Sequence, residues 1–272
     1  MVYPFGGSGG AMPIPNVPEK HTSEPLIRAE DMLALKKRQG KFPSCAPPQG
    51  VIFCMRSDIP RRMRWQIPLK KVGRTLGDIS LVRATQGRVG VLTDFGIGAP
   101  ALVAFAEEMI AWGVRRFVLL SWGGSLQSSL KAGDVILAEK AIRDEGVSHH
   151  YLPSERYAHA DVPLSAIVKS YLAAQRISFT LGSTWTTDAP YQETTAEVAA
   201  YQNEGVQVVE METAALYALA RSKNVAVTSI VIAADDLSAQ KWQPPKDFHA
   251  IDRSFEVCYR AAIQALNGDS CN

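Results

Sequence analysis

Between residues 50 and 266 the chain alternates short apolar runs, polar on neither face, with stretches of helical spacing, and this alternation limits its folding choices more than any other feature. A strand buried on both faces reads as an unbroken hydrophobic run and needs helices above and below it. The strand-like runs are VIFCM (51–55), GRVGVLTDF (87–95), RRFVLLS (115–121), DVILAEKAI (134–142), ISFTLGSTWT (177–186), GVQVVEM (205–211) and VAVTSIVIA (225–233). Helical spacing predicts helices over 100–113, 164–175, 211–223 and 249–266. The expected fold class is α/β, a three-layer α/β/α arrangement around a central mixed, mostly parallel sheet, with no repeat of fixed period.

With 272 residues, 46% of them hydrophobic, the chain can bury a sizeable core in one large domain, expected over 25–272. Residues 1–24 carry Gly6, Gly7, Gly9, Gly10, Pro13, Pro15 and Pro18 with few large apolar groups, which predicts a disordered or extended N-terminal arm. A helix is predicted over 26–38, acidic early and basic late. A formal charge of +2 with interspersed signs points neither to nucleic acid nor to an anionic membrane, so small-molecule partners are expected. The cysteines Cys45, Cys54, Cys258 and Cys271 are widely spaced, as reduced thiols of a cytoplasmic protein would be. There is neither a basic segment leading into an apolar one at the N-terminus nor an apolar run of about 18 residues, so secretion and membrane spanning are not expected. The adjacent His149 and His150 point in different directions on any regular backbone and have no cysteine nearby, so no metal is expected.

In open α/β sheets ligands collect beyond the carboxyl ends of strands, and four such places carry chemistry here. Gly96-Ile97-Gly98-Ala99-Pro100 joins a strand to a helix, where glycines admit close approach and the helix N-terminus offers N–H groups to an anion; a tight turn alone would read the same. Ser121-Trp122-Gly123-Gly124-Ser125 follows another strand and is either a cradle for phosphate or sugar or a plain connecting loop. In Glu210-Met211-Glu212 two carboxylates flank a methionine where a strand enters a helix, a placement that suits ribose hydroxyls, with an acidic helix start as the bland alternative. Asp235 and Asp236 end the last apolar run; a carboxyl group there can act as a general acid, or simply stabilise a turn.

Together GIGAP (96–100), KAGDVIL (131–137), AIRDEGVSHHYLP (141–153), TTDAPYQET (186–194), VVEMETAAL (208–216) and AADD (233–236) resemble the nucleoside phosphorylase family, which includes purine nucleoside phosphorylases, uridine phosphorylases and methylthioadenosine nucleosidases. The resemblance implies that Glu212 holds the ribose hydroxyls, with Met211 beneath the sugar and Glu210 nearby. It places Tyr191 and Gln192 against the base and gives Asp235 the protonation of a purine ring nitrogen. It also implies a phosphate site built from Gly98, Ser121, Gly123, Arg56 and Arg61, with phosphate as co-substrate and no cofactor. A homo-oligomer, a dimer or trimer of dimers, is implied as well.

This sequence departs from the family pattern at the phosphate site, where Leu119 stands for an arginine and Trp122 for a hydroxyl residue. Leu26 falls where the family has a histidine that reaches a neighbouring subunit. The loop written APYQET lacks the arginine of uracil-specific members, which favours a purine. The expected function is phosphorolysis of a purine nucleoside to base and ribose 1-phosphate. Uridine phosphorolysis, phosphate-independent hydrolysis and a non-catalytic nucleoside binder are the alternatives.

Overall fold

The computed structural model describes residue 17 and residues 19–268, so most of the expected arm, residues 1–16 and 18, lies outside the described residues. Ten strands form one mixed sheet: β1 (Gly50–Cys54), β2 (Leu69–Arg74), β3 (Asp78–Val82), β4 (Val89–Thr93), β5 (Arg116–Ser125), β6 (Val135–Asp144), β7 (Tyr157–His159), β8 (Phe179–Thr187), β9 (Val206–Glu210) and β10 (Ala226–Asp236). The α-helices among the described residues are α1 (Ala29–Arg38), α2 (Asp58–Arg62), α3 (Ala99–Trp112), α4 (Val162–Ala174), α5 (Thr195–Asn203), α6 (Thr213–Lys223) and α7 (Phe248–Asn267).

Successive side chains of a strand point to opposite faces, and β1 shows how this builds the layers. Val51 and Phe53 pack with Leu102 and Phe105 of α3 and Tyr217 of α6, whereas Ile52 and Cys54 pack with Leu164 of α4 and Phe255 of α7. In β5, Phe117 and Leu119 join the first set, Val118 and Leu120 the second. Helices therefore cover both faces, as expected. Glycine punctuates α3 at both ends, with Gly98 before it and Gly113, at φ +123°, after it; α6 stops at Asn224 in the left-handed region.

The sheet departs from an open one. β4, β1, β5 and β10 run parallel to one another, as do β6, β8 and β9. Antiparallel pairings of β10 with β6, and of Gly124 and Ser125 in β5 with β9, join the two sets, so that β10, β6, β8, β9 and β5 close on themselves. Two glycines permit this closure: a Cβ at Gly123 would meet the carbonyl oxygen of Val209 at 2.2 Å, and one at Gly124 would meet Leu237 Cδ1 at 2.3 Å. The expected loop at 121–125 is thus strand. Asp235 likewise lies on β10, which continues to Asp236, rather than in the turn beyond it.

The helix expected from residue 26 starts at Ala29, after Arg28 in extended conformation, and Leu26 and Ile27 are exposed. No helix among the described residues is long and apolar enough to cross a membrane. Cys45, Cys54 and Cys258 are free thiols.

Candidate active site

One end of the site is set where β9 runs into α6. Glu210 and Glu212 are both buried there, at 4% and 3% exposure. Glu210 accepts from the hydroxyls of Thr184, at 3.1 Å, and Thr186, and from the amides of Glu212 and Thr213, at 2.8 and 2.7 Å. Those amides belong to the start of α6, where backbone N–H groups have no partner within the helix. Glu210 therefore holds the strand-to-helix turn, which corrects its expected part in binding ribose: its oxygens are already engaged.

Glu212 is held differently. One oxygen accepts the amide of Gly98 at 2.7 Å, across from the turn that opens α3. Gly98 sits at φ +87°, a conformation that favours glycine, and a Cβ there would lie 3.9 Å from Met211 Cε. The Gly98 N–H, expected to face phosphate, is thus given to a carboxylate, a second correction. Burial pushes Glu212 up to about 7, and the charge of Glu210 adds to the shift.

Elsewhere on the site Asp235, at the end of β10, is half-buried and accepts the indole N–H of Trp242 at 2.8 Å. A cavity of about 430 Å³ brings together Ser121, Trp122, Gly123, Glu210, Met211, Glu212 and Asp235, with Glu193 and Trp242 closing the same space. Glu212 and Asp235 thus line one cavity. An adjoining cavity of about 450 Å³ shares Pro190, Glu193, Asp235 and Trp242 with the first and adds Tyr191 and Lys241.

Tyr191 lines only that second cavity and is 98% exposed. Gln192 lines neither; it is exposed, and its backbone N–H donates to the Ala189 carbonyl at 2.8 Å within a tight turn. The segment 143–153 is tied inward. Arg143 donates to Ser148 Oγ and to the carbonyls of Leu152 and Pro153, and the ring of His149 is buried against it.

The expected phosphate ligands fare unevenly. Ser121 and Gly123 line the cavity, although the glycine is explained by the close approach of β9 and the serine hydroxyl reaches the Trp122 carbonyl at 3.4 Å. Arg56 does not line it. Its guanidinium grips Asp58 through two 2.7 Å bonds, donates to Asp252 at 2.9 Å, and lies 5.1 and 5.5 Å from the ring centroids of Trp122 and Phe255. The hydrogen bonds to Asp58 hold Arg56 above the ordinary arginine range. An arginine caged by two carboxylates and two aromatic faces is not available to an anion, which corrects that expectation. Arg61 pairs with Asp94 at 2.9 Å on the surface. Leu119 is fully buried core, while the Trp122 indole is a wall of the cavity. Among the described residues, four carboxylates, Glu193, Glu210, Glu212 and Asp235, and no lysine or arginine line this cavity.

Sequence reasoning missed Glu193 and Trp242. A signal existed for the first: Thr194-Thr195-Ala196-Glu197 matches a capping box, and Thr194 and Glu197 form that box at the start of α5. This fixes the preceding residue, Glu193, at the mouth of a loop. No local signal marks Trp242, which reaches Asp235 through a tertiary fold-back.

The phosphorylase superfamily model matches residues 63–263. DeoD-type purine nucleoside phosphorylases of Bacillus cytotoxicus and Bacillus cereus are each 28% identical to this chain over 173 residues, 62% of this chain and 73% of theirs. The crystal structure of uridine phosphorylase from Vibrio fischeri superposes with a TM-score of 0.67 at 23% identity, covering 81% of this chain and 91% of that one. At that identity the likeness is one of fold.

Proposed function

The chain belongs to the phosphorylase superfamily, and from that premise we propose that it cleaves the N-glycosidic bond of a purine-type nucleoside. The observation that carries this reading is the convergence of Glu212 and Asp235 on one cavity that Met211 also lines. Glycosidic cleavage builds positive charge on the sugar and negative charge on the departing base. In the proposed arrangement Glu212 accepts the ribose hydroxyls, the Met211 thioether packs beneath the ring, and Asp235 delivers a proton to the purine. Glu210 acts through the turn, keeping Glu212 aimed. The relatives named as purine nucleoside phosphorylases support the purine over uracil, as does the lack of arginine in the 189–194 loop.

Phosphate is the attacking group that the superfamily relation supports, with ribose 1-phosphate as the second product. A specific observation favours a second reading, attack by water: four acidic residues, Glu210 with its oxygens engaged in the turn, and no lysine or arginine line the cavity, and Arg56 is caged. For phosphate to enter, a positive group has to come from Arg61 released from Asp94 or from a neighbouring copy. A homo-oligomer, dimer or trimer of dimers, is part of the proposal, as is a cytoplasmic setting; light scattering on the purified chain measures the former.

A panel of purine and pyrimidine nucleosides, assayed with and without phosphate, tests the reading. Base release that depends on phosphate selects phosphorolysis, and release without it selects hydrolysis. A chain that binds nucleosides yet cleaves none of them sinks the proposal.

A further inference from the structure

The strip common to the two cavities is Pro190, Glu193, Asp235 and Trp242, so the cavity lined by Glu212 is continued past Asp235 by a second space of about 450 Å³. Either volume alone falls within the range of about 300–1,000 Å³ that takes a small ligand. A nucleoside with its sugar at Glu212 and its base at Asp235 uses the first space and does not need the second.

The second space is built on fixed backbone. On one side lies the start of α5, capped by Thr194 and Glu197. On the other, the chain beyond β10 turns back through Gln240, at φ +54°. Paired backbone bonds between Asp236 and Gln243, at 3.0 and 2.8 Å, hold this return. The Leu237 N–H on the Ser125 carbonyl, at 2.9 Å, and the Gln202 side chain on the Ser238 carbonyl, at 2.7 Å, anchor it to the body. Val198 and Leu237 are buried in one apolar cluster and line the space from within, while Tyr191 and Trp242 bring largely exposed rings to it. Among the described residues, those that line this space alone include no carboxylate, and Lys241 is the one charged group, whereas four acidic residues line the first cavity. Such walls favour an uncharged apolar group, and above all a ring, over a hydroxyl or an anion.

Resting on the function proposed above, we propose that the second space receives an apolar, ring-bearing substituent carried by the base, so that the preferred substrates are purine nucleosides extended at the exocyclic nitrogen on carbon 6. With N7 of the purine at Asp235, that nitrogen is the next group along the same edge of the base, and a chain attached to it crosses the shared strip. Trp242 lines both spaces while its N–H stays on Asp235 at 2.8 Å, so its ring can pack against the substituent without giving up that bond. An unextended base leaves Tyr191 and Leu237 facing water, and the extension removes that apolar surface from it.

The test uses the full chain and the variants Thr195→Trp and Tyr191→Ala, with calorimetric binding of adenine and 6-benzylaminopurine and steady-state cleavage of their ribosides. Thr195 is exposed at the first position of α5 and lines only the second space, so a tryptophan there fills the space and replaces no core side chain. The wild type is expected to bind the benzyl compound about ten- to a hundredfold more tightly than adenine, with a similar gain in kcat/KM for its riboside. Thr195→Trp is expected to shrink both gains to within about threefold, with adenosine cleaved as before and the melting temperature unchanged. Tyr191→Ala, on an exposed turn, is expected to lose about three- to tenfold of the benzyl gain. A wild type that binds the two bases equally or prefers adenine, or variants that both keep the whole gain, overturn the proposal. Tighter binding of the benzyl compound that the variants remove, in a chain that cleaves no nucleoside, keeps the second space and discards the catalytic reading. Cleavage of adenosine by a chain indifferent to the benzyl group does the reverse.

Discussion

The two ends of the cavity are built to different standards of rigidity. At the proposed sugar end Glu210 and Glu212 are buried where β9 meets α6, and backbone amides at the starts of α3 and α6 fix their oxygens. At the base end Asp235 and Glu193 are half-buried, and the aromatic groups beside them, Tyr191 and Trp242, are 98% and 61% exposed. A group whose rotamer is locked by packing and hydrogen bonds can discriminate by geometry, whereas one on an exposed turn adapts. The contrast suits a substrate whose ribose is constant and whose base is what the protein must choose.

The largest test of this contrast is Asp235→Asn, which removes the proposed acid while keeping the acceptor for Trp242. It is expected to lower kcat by about a hundred- to a thousandfold with little change in KM; equal losses in both would make Asp235 a positioning group. Next comes Glu212→Gln, expected to cost about a hundredfold in kcat/KM, mostly through KM, because it weakens charge-assisted bonds to two hydroxyls. An unchanged KM in steady-state assays would remove Glu212 from the sugar.

Stability should separate the ends as well. Glu210→Gln leaves two of the four donors facing an NH₂ group and is expected to destabilise the fold by about 1–3 kcal/mol in denaturant melts, whereas Tyr191→Ala is expected to fall within about 0.5 kcal/mol. The pH dependence is sharper. The folded state lifts Glu212 from an ordinary value near 4.5 to about 7, so it keeps a proton that the unfolded chain has lost. Its contribution to stability is therefore fully present below about pH 4.5 and is lost as pH rises to 7. Ribose affinity, which needs the carboxylate, is expected to move the opposite way, strengthening as pH rises from 6 to 8. A nucleoside KM that is flat over this range would show that Glu212 is already ionised when the sugar arrives. The smallest effect is expected of Tyr191→Ala on KM, about twofold, since the ring lies in the outer cavity.

The strands buried on both faces were legible because nothing polar interrupts VIFC, FVLL or TSIVIA. β2 was not legible, because Lys70 and Lys71 break its apolar pattern and it is half-exposed at the sheet margin. Glu212 and Asp235 could be read because each stands at a strand's carboxyl end, where the chain's order alone brings them near each other. The close approaches that Gly123 and Gly124 permit, to the backbone of Val209 and to the Leu237 side chain, could not be read because both partners are remote in sequence. Arg56 was assigned to phosphate because the residue that completes its cage, Asp252, lies 196 positions away. Glu193 and Trp242 escaped for the same reason: the strip they form exists only after the segment 237–245 has folded back over β10.

Two of the chain's five tryptophans line the cavity, Trp122 upon the guanidinium of Arg56 and Trp242 with its N–H on Asp235. Each indole thus has a charged neighbour as a natural quencher on one side and the ligand space on the other. A purine that enters must alter the emission of both, so occupancy is open to unlabelled fluorescence titration even in variants too slow to turn over.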